Sequence, residues 1–227
     1  LFLMASTNKT LHNDPRLLST IAWKYNNTLT YAVEGSVFTG GSVIQWCRDQ
    51  LNLINQSSDS DHLAQSLNGN DNVYFIPALT GLGSPHWDSY ARGTIIGLTR
   101  STGKEHIIRA ALEAIAYQSA DVFHLMEELQ GRSFKQLIVD GGASNNSFLM
   151  QFQSDLLQIP IYKSAITDST AYGVAAMAFI RLGIWKETTF RSHLAAPQTY
   201  ISNKNNNLDN QYSKWKLAVK RSLQWDI

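Results

Sequence analysis

The residues in this sequence best placed to do chemistry are Asp140 and the glycine pair 141–142, which directly follow three bulky apolar residues at 137–139. Such a run is typical of a strand buried on both faces, and glycine permits close approaches that a Cβ forbids. Ser144 or Asn145 can cap a following helix. The apolar residues of that predicted helix recur on one face: Phe148, Leu149, Phe152, Leu156 and Leu157.

A strand, a glycine turn and a helix N-terminus in this order can place backbone against a flat or anionic ligand. By local pattern alone, an ordinary strand-to-helix connection is the simpler interpretation, since the spacing is not that of a P-loop or a dinucleotide-binding turn. A second glycine pair, Gly40-Gly41, precedes a predicted helix that carries Val43, Ile44 and Cys47 on one face. This pair either eases tight packing or forms a second glycine-lined wall of the same cleft.

The elements that must position these turns are predicted from periodicity and turn residues. A meander of three antiparallel strands is expected at the start, within residues 1–33, and short strands are expected at 73–79 and 159–162. Strands and helices alternate after the meander. This order predicts an α/β domain of two or three layers, with helices on both faces of one mixed β-sheet.

Four further signals mark the helices. A capping box at Thr102 and Glu105 begins the longest predicted helix, and Gly131 is placed to end it. Asp168 begins a helix rich in small residues, which suits close packing against a neighbour. The chain closes with a polar segment and then an amphipathic helix, together residues 187–227.

Composition and charge exclude several function classes. The 227 residues carry a net charge of +1, so neither nucleic acid nor an anionic membrane is a predicted partner. The six histidines show no metal-ligand spacing, and the single Cys47 excludes an intrachain disulfide and suits a reducing compartment. No apolar run reaches the ~18–20 residues of a membrane span, and no signal peptide is present. We therefore expect a cytoplasmic protein with no metal site in this chain.

Four longer strings carry a resemblance to a known family. Residues 140–155 read Asp-Gly-Gly-Ala-Ser-Asn-Asn-Ser-Phe-Leu-Met-Gln-Phe-Gln-Ser-Asp, and residues 77–93 contain Gly-Leu-Gly-Ser-Pro-x-Trp-Asp-x-Tyr-Ala-Arg-Gly. Together with 31–46 and 215–225, they resemble the C-terminal half of the FGGY carbohydrate kinases, and among these the glycerol kinases. The resemblance covers essentially the whole chain in register. It implies a ribonuclease-H-like fold, as in actin-like ATPases and sugar kinases.

The resemblance also implies roles for individual residues. The family's contacts to adenine and ribose fall on Gly41, Gln45, Gly142 and Asn146. Phe2 matches the aromatic residue that packs against the carbon skeleton of bound glycerol. The whole chain, residues 1–227, would then be the nucleotide-binding C-terminal domain, with the segment 187–227 appended to it.

For an intact enzyme the resemblance implies transfer of the γ-phosphoryl group of ATP to glycerol, with Mg²⁺ as cofactor and a homo-oligomeric assembly. The family's general base and phosphate-binding turn would lie upstream of Leu1, and the chain begins without Met. We therefore expect the chain to be part of a longer protein, to contain no catalytic residue and to be inactive alone.

Two departures and two alternatives accompany the resemblance. Ser147 stands where many members have a second Asn, and residues 200–211 lack the family's usual Pro.

The same domain of another FGGY kinase, acting on xylulose, gluconate or another polyol, is the alternative enzyme. An actin-like nucleotide-binding structural module is the alternative without enzymatic activity, although no filament or peptide-binding insertion is evident.

Overall fold

The longest element of the protein is a helix that contributes to both of its hydrophobic core clusters. The computed structural model describes residues 1–7, 14–189, 192, 194–204 and 208–226. Helix α3 (Lys104–Gln130) runs for 27 residues. Most of its middle is buried, because alanines and large apolar residues alternate around its circumference and let neighbours pack on several sides.

The ends of α3 show one wrong and one correct prediction. The capping box at Thr102 and Glu105 does not form, because Oγ1 of Thr102 accepts from the backbone N–H of Thr99 instead. The helix begins after Gly103, whose N–H donates to Nδ1 of His106 at 3.1 Å. Gly131 ends it in the left-handed conformation at φ 62°, as predicted.

The N-terminal sheet contains β1 (Phe2–Thr7), β2 (Leu18–Tyr25) and β3 (Thr28–Ser36), all pairing antiparallel. The order is β1-β3-β2, so the prediction of a meander is wrong: β3 lies in the middle and β2 at the edge. Asn26 and Asn27 join β2 to β3 at φ 45° and 62°, the two positive values of a tight hairpin turn. The central position buries Ala32 and Val33 of β3.

Two helices and a small sheet follow. Helix α1 (Ser42–Asp49) buries Val43, Ile44 and Cys47 as predicted, and helix α2 (Asp59–Gln65) comes after a short loop. Strands β4 (Tyr74–Ile76) and β5 (Thr94–Ile96) pair antiparallel. Their sheet packs on α3, and all three residues of β4 are buried.

A third sheet contains β6 (Leu137–Val139) and β7 (Ile161–Lys163) in parallel, with β8 (Gln198–Tyr200) antiparallel to β7. A 3-10 turn at Gly142–Asn145 and helix α4 (Ser147–Leu157) connect β6 to β7. Within the described residues the strands therefore form three separately bonded sheets rather than the single mixed sheet that we predicted. The expectation that β6 is buried on both faces is also wrong, since Ile138 is 67% exposed.

The last two helices differ in how they pack. Helix α5 (Ser169–Arg181) begins where the carboxylate of Asp168 accepts from the N–H of Ala171, as predicted. It buries only Ala176, so close packing of its small residues is not observed.

Helix α6 (Leu208–Ser222) is anchored on α3 by Trp215, which is 1% exposed. Its indole N–H donates to Asp121 at 2.9 Å, and the hydroxyl of Tyr212 donates to the other carboxylate oxygen at 2.6 Å. The C-terminal helix thus shares the main core. The division of the chain at residue 187 stays a prediction, and residues 190, 191, 193, 205–207 and 227 of that segment lie outside the described residues. In the described part of the chain, no helix is both long and apolar enough to cross a membrane.

Candidate functional site

The two glycine turns that the sequence singles out meet at one cavity. A Cβ built on Gly41 would lie 3.1 Å from the Cβ of Ala143, so the turn before α1 lies directly against the turn after β6. The cavity beside them has a volume of about 510 Å³. Glycine at position 41 permits this approach, because a side chain there would push the two turns apart.

The conformation of the second turn differs between its two glycines. Gly141 has φ 83° and ψ 172°, a region that only glycine occupies readily. Gly142 begins the 3-10 turn, and a Cβ built on it meets no protein atom within 4 Å. Gly141 is therefore the residue that makes the strained turn, and Gly142 instead faces open space in the cavity.

The N-terminus of α4 forms one end of the cavity, and the N–H groups of Phe148 and Leu149 there already have acceptors. Asn146 is its N-cap: Oδ1 accepts from the N–H of Leu149 at 2.8 Å, and Nδ2 donates to Oγ of Ser60 at 3.2 Å. The N–H of Phe148 donates to the carboxylate of Asp61 at 2.7 Å. These bonds satisfy the groups that would otherwise attract an anion.

Besides the two glycine turns, α2 and the loop before it form a third wall of the cavity, which no sequence pattern predicted. Ser57, Ser58, Ser60 and Asp61 line the cavity from this side. Helix α2 begins at Asp59, and no sequence pattern indicated that this helix faces the cavity. Its position against α4 depends on tertiary contacts, chiefly the hydrogen bond from Asn146 to Ser60. A local sequence pattern cannot predict such a contact.

The remaining lining is apolar. Four buried side chains, from α1, α3 and α4, form it: Ile44, Leu112, Ile115 and Leu149. Such a surface suits the face of a planar ring, and the surrounding hydroxyl and amide groups can bond to its edge. Gln45 and Asn145 are exposed and line the cavity, and neither side chain makes a hydrogen bond to another described residue.

The electrostatics of the lining are mildly acidic. Among the described residues that line the cavity, Asp61 is the only charged one, and no Lys or Arg is present. A polyphosphate would therefore meet no positive side chain here, whereas a neutral ring and a ribose would meet suitable partners. Across the part of the chain that the structure describes, no three His, Cys, Asp or Glu side chains are placed to share a metal ion. These residues do not fit a Mg²⁺ site.

Behind the cavity, the side chain of Arg109 contacts three of the helices around it, α2, α3 and α4. Its guanidinium donates to Glu113 on α3 at 2.8 Å and to the carbonyl of Ala64 on α2 at 3.0 Å, and it lies 4.9 Å from the ring centroid of Phe148 on α4. Glu113 is 1% exposed and also accepts from Asn70 at 2.9 Å. Burial raises the pKa of Glu113, and Arg109 and Asn70 partly oppose that increase.

The structure brings together Gly41, Gln45, Gly142 and Asn146, all of which line the same cavity. Phe2 lies elsewhere: it is 68% exposed at the start of β1 and does not line the cavity. A Cβ built on Gly40 would lie 2.8 Å from the Cβ of Leu1, so the Gly40-Gly41 turn separates the start of β1 from the cavity.

Comparison with known proteins gives the family. The sequence profile of the FGGY family of carbohydrate kinases, C-terminal domain, matches residues 1–182. The chain belongs to this family. Among curated FGGY relatives, the glycerol kinase of Francisella philomiragia is 48% identical over 225 residues, which is 98% of this chain and 45% of that protein. The chain thus spans about half the length of the curated relatives that it matches.

Solved structures of FGGY kinases show the same fold. The glycerol kinase of Plasmodium falciparum, solved with ADP, superimposes with a TM-score of 0.88 at 30% identity over 98% of this chain and 45% of that chain. The xylulose kinase of Rhodospirillum rubrum gives a TM-score of 0.81 at 22% identity over 97% of this chain and 45% of that chain, a likeness of fold alone. The predicted α/β fold class, that of the sugar kinases and actin-like ATPases, is therefore confirmed.

Proposed function

We propose that the chain is the nucleotide-binding C-terminal domain of an ATP-dependent glycerol kinase, and that the cavity beside Gly41 and Gly142 holds the adenosine part of ATP. The observation that carries this proposal is that four residues implied by the family resemblance, from two distant segments, line one cavity. The 48% identity to a glycerol kinase supports glycerol over another polyol.

Each part of the cavity has a role in this proposal. The adenine ring lies on the apolar surface of Ile44 and Leu149, and the side chain of Gln45 is free to bond to the edge of the ring or to the ribose. Gly142 allows the backbone to approach the ligand, because it carries no Cβ. Asn146 acts mainly through position: it caps α4 and binds Ser60, and so fixes the end of the cavity.

In the intact enzyme the terminal hydroxyl oxygen of glycerol bonds to the γ-phosphorus while the bond from that phosphorus to the β–γ bridging oxygen breaks, so that ADP leaves. The hydroxyl proton passes to a carboxylate that the family resemblance places outside these residues.

Phe2, exposed at the start of β1, would contact the carbon skeleton of glycerol. Mg²⁺ would be held by ATP and by groups outside the cavity. A homo-oligomeric assembly and a cytoplasmic location stay predictions from the resemblance.

We expect ATP, ADP and AMP to bind this chain with dissociation constants within about threefold of one another. The physical reason is that no positive side chain lines the described cavity, so the phosphates add no favourable contact there. Isothermal titration of the three nucleotides measures this directly. If ATP bound about tenfold more tightly than AMP, phosphate contacts would exist outside this cavity and the assignment to adenosine alone would be wrong.

We also expect the 227-residue chain to form no glycerol 3-phosphate from glycerol and ATP. Neither the general base nor a second domain to hold the polyol is implied for these residues, so proximity and proton transfer are both missing. A coupled assay for glycerol 3-phosphate tests this, with the intact protein as the positive control. Product above the blank without protein would contradict the proposal that the catalytic base lies outside the chain.

A further inference from the structure

A second cavity lies on the opposite side of α3 from the cavity that the two glycine turns form. Its volume is about 320 Å³, at the lower end of the range for small-ligand sites. Asp121 and His124 line it, and each lies nine residues after a lining residue of the first cavity, Leu112 or Ile115. Nine residues make about two and a half helical turns, so the two cavities contact opposite faces of the helix. A ligand of the second cavity is therefore separate from a nucleotide in the first.

Positively charged side chains line the second cavity, whereas no described Lys or Arg lines the first. Lys216 and Lys220 are four residues apart on α6, so their side chains share one face of that helix. Arg16, from the segment before β2, also lines the cavity. The imidazoles of His86 and His124 add N–H groups that can donate to a ligand. Donors from four separate segments thus converge on one small volume.

The two carboxylates of the described lining already have partners. The two oxygens of Asp121 accept from the hydroxyl of Tyr212 at 2.6 Å and from the indole N–H of Trp215 at 2.9 Å. Glu128 forms an ion pair with Arg16 at 3.3 Å. The two lysines form no ion pair with another described residue. The described lining therefore has three basic side chains against two acidic ones, and the lysine charges are available to an anionic ligand.

The ammonium group of Lys216 is held in place before any ligand binds. Its Nζ lies 4.2 Å from the ring centroid of Tyr212, a cation–π contact. The hydroxyl of Tyr212 donates to Asp121, so the ring itself is fixed on α3. A side chain that is positioned in this way loses less conformational entropy when a ligand binds.

The loop that carries His86 is fixed as well. Oγ of Ser84 donates to the carbonyl of Arg16 at 2.6 Å, and the indole N–H of Trp87 donates to the same carbonyl at 3.0 Å. Pro85 and His86 lie between these two donors and line the cavity. The position of this wall is therefore set by hydrogen bonds within the protein.

We propose that the second cavity binds a phosphate dianion, either free or as the end group of a small phosphomonoester. Phosphate oxygens accept hydrogen bonds, and the ammonium groups of Lys216 and Lys220 can only donate them, so the two sets of groups match. The charge of the dianion also offsets the two lysine charges, which a neutral polar ligand would not do. The proposal does not depend on which nucleotide or polyol the protein binds.

Two further observations narrow the ligand class. A bound metal ion fits poorly, because no three His, Cys, Asp or Glu side chains in the described ranges are placed to share one. Pro85, Leu125 and Val219 give the cavity an apolar part, which can contact a short carbon skeleton attached to the phosphate.

Calorimetric titration of the full-length protein with inorganic phosphate tests the proposal, at constant ionic strength and at a slightly alkaline pH where phosphate is mostly a dianion. We expect the double variant Lys216→Gln/Lys220→Gln to raise the dissociation constant at least about tenfold, because it removes two charge-assisted hydrogen bonds. Lys220→Gln alone should raise it about threefold or more, since it leaves the contact of Lys216 with Tyr212 intact.

The matched control is Lys214→Gln/Arg221→Gln, which removes two positive charges from the same helix. Neither residue lines the cavity, and Lys214 instead donates to Asn72 at 2.6 Å. We expect its dissociation constant to stay within about twofold of the parent value, because exposed charges at a distance are screened. Equal weakening in the two double variants would show a general attraction to α6 and would overturn the site. Unchanged binding in Lys216→Gln/Lys220→Gln would place the phosphate elsewhere and overturn it too.

Three other anions identify the chemistry and the source of the ligand, each measured as the part of binding that Lys216→Gln/Lys220→Gln removes. Methyl phosphate that binds as tightly as inorganic phosphate, or more tightly, indicates a phosphomonoester; methyl phosphate that binds at least about tenfold more weakly indicates free phosphate. Both results support the proposal. Dimethyl phosphate and chloride carry one negative charge and should bind at least about tenfold more weakly than the better dianion. If either binds as tightly as that dianion, the cavity does not select a phosphate dianion and the proposal is wrong.

Discussion

Gly142→Val in the full-length enzyme is expected to raise the apparent KM for ATP by about 10- to 200-fold, the cost of misplaced methyl groups in a close-fitting pocket. The KM for glycerol should change little. A Cβ at position 142 meets no protein atom within 4 Å, so the new side chain occupies cavity volume without displacing the protein. Steady-state kinetics with each substrate varied in turn measure the effect.

Two matched variants separate ligand volume from backbone strain. Gly142→Ala should leave stability unchanged or raise it by up to about 1 kcal/mol, because it lowers the entropy of the unfolded chain. Gly141→Ala should lower the free energy of unfolding by about 1–3 kcal/mol, because φ 83° with ψ 172° strains any side chain. If Gly142→Val lowers the melting temperature but leaves the KM for ATP normal, the nucleotide assignment at Gly142 is wrong.

Arg109→Met is expected to lower the free energy of unfolding by about 3–5 kcal/mol near pH 7, the usual cost of leaving one buried charge without its partner. Among the residues that the structure describes, Glu113 would keep only Asn70 as a hydrogen-bond partner, and Ala64 on α2 would lose its donor. Urea unfolding of the purified protein measures the change. Arg48→Met is the control, since the ion pair of Arg48 with Asp49 is screened by solvent and should change the free energy of unfolding far less.

The loss in Arg109→Met should depend on pH. Burial already raises the pKa of Glu113 in the folded state, and removal of Arg109 raises it further. A group whose pKa is higher in the folded state contributes full stability below its unfolded pKa and loses that contribution as the pH rises. The deficit should therefore be smallest at acid pH, below the ordinary pKa of a glutamate, and grow as the pH rises above it, by up to about 1.4 kcal/mol per pH unit. A deficit that is constant across this range would show that the variant acts by lost packing alone.

The double variant Arg109→Met/Glu113→Leu tests the same pair in another way. It removes both charges, so it should be more stable than Arg109→Met alone at alkaline pH, where ionisation of the buried Glu113 costs the single variant most. Arg109 also bonds to α2, which forms one wall of the cavity. Any rise in the KM for ATP in these variants would therefore indicate that this wall has moved. If the double variant is less stable than the single one at every pH, Glu113 does not act as an unpaired charge.

The sequence by itself determined the local features that short-range physics controls. The strand, glycine turn and helix around residues 137–157 follow from an apolar run, two glycines and helical spacing, and all three elements form, although Asn146 caps the helix rather than Ser144 or Asn145. Gly131 and Asp168 end and begin helices where the sequence places them, because capping needs only a few neighbouring residues. The longer strings also predicted membership of the FGGY carbohydrate kinases, and the family profile that matches residues 1–182 confirms it.

Only the tertiary structure decided which segments meet. Periodicity describes one strand or helix at a time, so it could not show that β3 lies between β1 and β2, or that Ile138 is exposed. The capping box at Thr102 failed for a local reason instead, because the N–H of Thr99 donates to its hydroxyl.

The same reason explains the cavity. Residues 41 and 142 are remote in sequence, and their contact depends on how α1, α3 and α4 pack rather than on either turn. The wall formed by α2 had no sequence signal at all, since hydroxyl and carboxylate side chains are common at helix starts. It lines the cavity because Asn146, Asp61 and the partly buried Arg109 hold it against α4, and such long-range bonds exist only in the folded protein.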